Sequence, residues 1–198
     1  GTADCIENLA SSCDDLGGVY VTRGDYETAR EYYLKSLEIK LRGLEDGGTD
    51  YELEDVAAAY DALGKLCLEE GQLEKARKYA ESAIEIRSKI LNDDSTYVRA
   101  GKAISNELLC QICIKGEDYE KALEYAQRLV KEKPDSAFGY DLIAWAYFYM
   151  RRDQEAFDRA ERILTGNPHR TEESVTMVHK LFCSIMPLET TNVKKMRK

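Results

Sequence analysis

A small residue that follows a large aliphatic one recurs four times along this chain. The intervals are 47 residues from Gly17 to Gly64, 46 from Gly64 to Cys110 and 34 from Cys110 to Ala144. Self-similarity at a period of roughly 20–50 residues is typical of repeat architectures. The pattern therefore predicts four stacked copies of one helical hairpin, and no other feature of the sequence constrains the fold as much.

A second small residue follows each of the first by twelve positions, after an intervening turn. These residues are Ala29, Ala76, Ala122 and Ala156. Two antiparallel helices approach closely only where neither carries a bulky side chain, so small residues at matched heights indicate paired helices. Pro134 and Pro168 are expected to end the second helices of the third and fourth copies, because proline cannot continue a helix.

These segments resemble tetratricopeptide repeats. The resemblance covers Leu16 to Ser36, Leu63 to Ala83, Leu109 to Pro134 and Ile143 to Pro168. The first two copies exceed the standard length by about a dozen residues, which makes them similar to the elongated repeats of kinesin light chains. The resemblance implies an all-α fold, a right-handed α-solenoid of four hairpins with a C-terminal closing helix.

Local signals give the expected boundaries of the helices. Helices are predicted at about 5–23, 26–41, 50–70, 73–91, 96–115, 118–131, 136–150 and 154–165. They group into repeats at about 10–48, 57–94, 103–136 and 137–170 of a solenoid spanning residues 3–186. A closing helix is expected at about 171–186, followed by a basic, disordered tail at 187–198.

The cysteines are expected to pack rather than to react. Cys13, Cys67, Cys110 and Cys113 fall on inward helix positions, where a small apolar residue is wanted. Cys110 and Cys113 form a CxxC pair, but no second pair and no nearby histidine completes a metal site. Unpaired buried cysteines favour a reducing compartment, so we expect a cytoplasmic protein.

Composition bounds the function classes. The net charge of −9 makes the chain a poor nucleic-acid binder, since phosphate contacts need a basic face. No apolar run approaches the ~20 residues that span a bilayer, so membrane binding is not expected. His169 and His179 have no recognisable nucleophile partner, and no glycine-rich phosphate loop occurs. We therefore expect no enzyme activity and no cofactor.

The resemblance assigns one face of the first helices to a concave groove that binds a protein or peptide. One column of that groove carries an acid in all four copies: Asp14, Asp61, Glu107 and Asp141. Lys65 and Gln111 occupy neighbouring groove positions. Two interpretations stay open: a solvated face that keeps an acidic protein soluble, or a groove that selects a basic peptide.

The fourth copy adds aromatic side chains to the assigned groove. They are Phe138, Trp145, Phe148 and Tyr149, whereas Tyr140 and Tyr147 fall at core positions. Exposed aromatic rings are suited to anchoring an apolar side chain of a ligand. The alternative is that the closing helix covers them.

These sequence features are compatible with three functions. The first is a non-enzymatic interaction module that binds an extended or helical peptide in its groove. The second is a scaffold that self-associates through its convex face or its end. The third is a peptide-sensing regulatory domain of a larger protein, which would need an attached effector domain.

Overall fold

The computed structural model describes residues 2–44, 48–90 and 95–150, and seven helices lie within these ranges. They are α1 (Thr2–Thr22), α2 (Tyr26–Gly43), α3 (Asp50–Glu69), α4 (Leu73–Arg87), α5 (Thr96–Lys115), α6 (Tyr119–Glu132) and α7 (Ala137–Met150). The all-α prediction is confirmed, and most predicted boundaries agree within two residues. Predictions for the helices at 154–165 and 171–186 and for the tail lie outside the described residues.

Side-chain caps explain why these helices begin where the sequence indicated. Asp25 accepts a hydrogen bond from the Thr28 amide at 3.2 Å and starts α2. Thr49 and Glu52 form a reciprocal capping box at the start of α3, with the Thr49 amide 2.7 Å from Glu52 Oε2. The Ser95 hydroxyl accepts from the Val98 amide at 3.2 Å before α5.

The turns that connect the two helices of each of the first three copies share one backbone conformation. Gly24 and Gly71 have φ values of 77° and 74°, and Glu117 reaches 60° at the corresponding place before α6. This left-handed region suits glycine because a Cβ is strained there. The turn therefore repeats in the third copy without its glycine.

The small residues are where the helices meet, as the spacing predicted. A Cβ on Gly17 would lie 2.5 Å from Cε1 of Tyr33 on α2. A Cβ on Gly64 would lie 3.3 Å from the Ala76 carbonyl oxygen on α4. Ala29, Ala76 and Ala122 are completely buried. A larger side chain at these positions would push the paired helices apart.

The four cysteines with described side chains are buried, which agrees with the packing interpretation. They are Cys13, Cys67, Cys110 and Cys113. Burial raises the pKa of the Cys67 thiol, so this sulfur stays a neutral packing group. A separate core cluster joins α2 to α3, and its buried members are Leu37, Val56, Ala59 and Leu63.

The chain divides into two compact units, Gly1–Ile112 and Cys113–Lys198. In the first unit, α4 ends at Arg87, four residues before the predicted end at Leu91. Its hydrogen-bond ladder tightens there, because the Lys89 amide donates to the Ile86 carbonyl, and Ile90 then leaves the helix to become buried. None of the described helices is both long and apolar enough to cross a membrane.

Candidate functional site

An open cleft of about 740 Å³ lies in the first unit, and most of its lining comes from α3 and α5. Four apolar side chains form a strip along it: Ala58, Ala62, Ala100 and Ile104. Ala58, Ala100 and Ile104 are exposed, although they are apolar, and three of the four strip residues are alanines. Such short side chains let a bound backbone come close to both helices.

A buried ion network forms part of the cleft lining. Arg87 of α4 donates to both carboxylate oxygens of Glu54, with Nε at 2.9 and 2.8 Å and Nη2 at 2.6 Å from Oε1. Its Nη1 donates to Asp61 Oδ2 at 2.7 Å and to the Ser105 hydroxyl. Ser105 in turn donates to Asp61 Oδ1 at 2.7 Å. All four side chains are more than nine-tenths buried.

The fold makes room for this network at a glycine. A Cβ on Gly101 of α5 would overlap Glu54 Oε1 and lie 2.5 Å from Arg87 Nε. Arg87 itself continues the buried stripe of α4 that begins with Ala76, Ala80 and Ala83. Helix geometry therefore directs the arginine into the protein rather than toward solvent.

The network contains two carboxylates and one guanidinium, and the pKa directions reflect that imbalance. Burial raises the pKa of Glu54 and of Asp61, although Arg87 lowers both. Burial alone would lower the pKa of Arg87, but its hydrogen bonds and the charges of Glu54 and Asp61 raise it. The guanidinium therefore stays charged, and it is the single cation that bonds the two carboxyl groups beside the cleft.

The polar rim of the cleft lies toward the C-terminal ends of α3 and α5. Lys65 and Glu69 are exposed on α3, and Glu107 and Gln111 are half-buried on α5. Gln111 Nε2 donates to Glu107 Oε1 at 3.4 Å. Within the part of the chain that the structure describes, no group of three or more potential metal ligands is assembled.

The repeat signature of this fold is also found by comparison with known proteins. Two family models for the tetratricopeptide repeat match the sequence, over residues 9–47 and 57–90. A crystal structure of nearly identical tetratricopeptide-like repeats from a putative kinesin light chain of Podosopora anserina is similar in fold, with a TM-score of 0.67, 16% identity and 98% of each chain covered. The two matched segments, residues 9–47 and 57–90, are tetratricopeptide repeats. No curated protein is significantly similar to it in sequence.

The acidic residues of the predicted column have different surroundings. Asp61 is buried and bonded to Arg87 and Ser105, so much of its charge is compensated inside the protein. Asp141 of α7 is also buried, at 4% exposure. Asp14 is partly exposed and lies 2.6 Å from Lys40 Nζ. The structure therefore does not present an open row of four carboxylates, because two of the four are buried.

Four of the sequence-derived groove residues come together in the cleft: Asp61, Lys65, Glu107 and Gln111. Asp14 does not line it. In the second unit, Phe138, Trp145 and Tyr149 of α7 are exposed, and Tyr147 is buried as predicted. The Tyr149 ring stacks on Tyr119 with centroids 5.1 Å apart. The side chain of Phe148 lies outside the described set.

Several residues of this cleft were not predicted from the sequence. Glu54, Arg87, Gly101 and Ser105 form or accommodate its buried ion network, and Tyr97 lies at its edge. One signal was available: an arginine at the fourth position of an alanine stripe is a charge at a core position. Nothing comparable marked Tyr97, because an exposed tyrosine in the first turn of a helix has no distinctive spacing.

Proposed function

We propose that this protein binds a peptide segment of a partner in the cleft between α3 and α5. Tetratricopeptide repeats generally mediate protein–protein interaction and are typically non-enzymatic. The observation that carries the proposal is the strip of exposed apolar side chains along an open cleft. Covering Ala58, Ala100 and Ile104 removes apolar surface from water, which favours association.

The charges beside the strip support a basic segment over an acidic one. The buried network has one cation for two carboxylates, and Glu69 and Glu107 outnumber Lys65 at the rim. A complementary charge on the ligand favours encounter and fixes its register. This proposal keeps Lys65, Glu107 and Gln111 as ligand contacts and gives Asp61 a structural role beneath them.

Filling the cleft should abolish peptide binding. Peptides would be selected from a random display library on the full chain, and their affinities measured by fluorescence anisotropy. Ala58→Trp places a large ring on the exposed apolar strip, so affinity is expected to fall about tenfold or more. The matched control is Lys78→Trp, which puts the same ring on an exposed position of α4 away from the cleft lining. Equal affinities of both variants for every selected peptide would refute the proposal.

A second candidate function, self-association, is favoured by one face of α1. Leu9, Leu16 and Val19 lie on one stripe of this helix and are 51%, 41% and 44% exposed. A second copy that covers this stripe would remove its apolar surface from water, which favours association.

Sedimentation velocity would test self-association over a hundredfold range of concentration. The wild type is expected to form dimers that Leu16→Glu returns to monomers, since a carboxylate would be buried unpaired in the interface. Leu41→Glu, at another exposed leucine on α2, is the control. A monomeric wild type at every concentration would exclude this function.

A further inference from the structure

Two partly exposed tyrosine rings stack on each other at one edge of the cleft. Tyr51 lies in the first turn of α3 and Tyr97 in the first turn of α5. Their ring centroids are 5.9 Å apart with an interplanar angle of 12°. The two residues are 55% and 47% exposed, and Tyr97 belongs to the cleft lining. The structure thus leaves a large aromatic surface uncovered beside the proposed peptide path.

A carboxylate lies next to these rings. Asp55 follows Tyr51 by one helical turn, and the Tyr97 hydroxyl donates to Asp55 Oδ1 at 3.3 Å. Within the described ranges Asp55 forms no ion pair, although it is only partly exposed. The charge of Lys40 acts on Asp55, but the Lys40 ammonium is bonded to Asp14 at 2.6 Å.

The surroundings of the rings are electronegative. Burial, followed by the charges of Asp55 and Glu54, raises the pKa of Tyr97 to about 12. Burial raises the pKa of Asp55 as well, and Lys40 offsets this only in part. The Asp55 carboxylate therefore lies where the aromatic surface meets the cleft, and a cation placed there would be stabilised by both the carboxylate and the rings.

We propose that the tyrosine–aspartate cluster, formed by Tyr51, Tyr97 and Asp55, binds an arginine side chain of the peptide in the cleft. This inference rests on the proposed function and names the residue that anchors the ligand. A planar guanidinium can stack on a tyrosine ring and donate to a carboxylate at the same time. An apolar side chain at this place would cover the Asp55 carboxylate without bringing a cation to pair with it, which is unfavourable. Lysine can pair with the carboxylate but stacks less well.

The test compares each selected peptide with a copy in which arginine is replaced by citrulline, which has nearly the same shape and no charge. We expect citrulline to weaken binding to the wild type roughly tenfold, as for a charge-assisted contact. Asp55→Asn and Tyr97→Leu should each remove most of that difference. Glu81→Gln, at an exposed carboxylate of α4 outside the cleft lining, should preserve it. Circular dichroism would show that every variant is folded.

The outcomes separate this inference from the proposed function. Some peptides could lose binding to Ala58→Trp and yet bind the wild type equally well with citrulline in place of arginine. That result would overturn the arginine anchor but leave the cleft assignment intact. The arginine anchor would also be overturned if Asp55→Asn still bound the arginine peptide more tightly than its citrulline copy, since the arginine would then bind elsewhere.

If no peptide depends on the cleft, acetyl-arginine amide becomes the probe. Its NMR titration should shift the ring signals of Tyr51 and Tyr97 and leave those of the Tyr60 and Tyr79 pair unchanged. Acetyl-citrulline amide should shift neither pair. Equal shifts for both amides would overturn the anchor.

Discussion

Replacing Arg87 with methionine is expected to lower the free energy of unfolding by about 3–5 kcal/mol, since breaking a buried ion pair leaves uncompensated charge. Methionine can fill much of the space of the arginine stem but donates no hydrogen bond. The carboxylates of Glu54 and Asp61 would then lie side by side without the guanidinium that now bonds both. Urea denaturation followed by circular dichroism would measure the loss.

The stability of Arg87→Met should fall as the pH rises toward neutral. Without Arg87, burial would hold the pKa values of Glu54 and Asp61 further above their ordinary values of 4.5 and 3.8. The folded state would then bind more protons than the unfolded state, so stability would fall as pH rises above the ordinary values. The free energy of unfolding of Arg87→Met should differ little from that of the wild type near pH 4, and the difference should be largest at neutral pH.

A matched control and a companion variant make this prediction decisive. Arg42 pairs with Glu38 on the exposed side of α2 at 2.5 Å, and Arg42→Met should barely change stability, as is usual for surface pairs. If Arg87→Met does not fold, adding Glu54→Met and Asp61→Asn should restore folding, because the uncompensated charge is then absent. A stable Arg87→Met with no pH-dependent loss would show that the network does not hold the fold.

Gly101→Ala is expected to destabilise the protein by about 1–3 kcal/mol, although alanine is normally the better helix residue. Its Cβ would overlap Glu54 Oε1 and lie 2.5 Å from Arg87 Nε. The ion network has little freedom to move, since its four side chains are buried and bonded to each other. Thermal and urea denaturation would measure the change.

Gly18→Ala is expected to stabilise the protein slightly, in contrast to Gly101→Ala. A Cβ there would meet nothing closer than Tyr33 Oη at 3.8 Å, so only the gain in helix propensity, about 0.5–1 kcal/mol, should remain. The cost of Gly101→Ala should also shrink in the Arg87→Met background, because the clash is with the network. Equal effects of the two glycine substitutions would contradict the steric account.

Helices, turns and paired small residues of this protein could be predicted because they depend on residues close together in the sequence. Asp25, Thr49 and Asp118 cap the helices that they precede, and each capping contact spans three residues. Gly17 and Gly64 recur at the repeat interval and lie where helices meet. α4 was predicted too long because its end is determined by the burial of Ile90.

The sequence by itself therefore determined the all-α repeat architecture, the buried cysteines and four residues of the cleft. Only the tertiary structure decided that Asp61 belongs to an ion network with Arg87, that Glu54 and Ser105 complete it, and that Tyr51 stacks on Tyr97. These partners are 18–46 residues apart, and each is an ordinary polar or aromatic helix residue when it is considered alone. Burial and charge pairing depend on which helices are brought together, and the packing of α3, α4 and α5 brings these together.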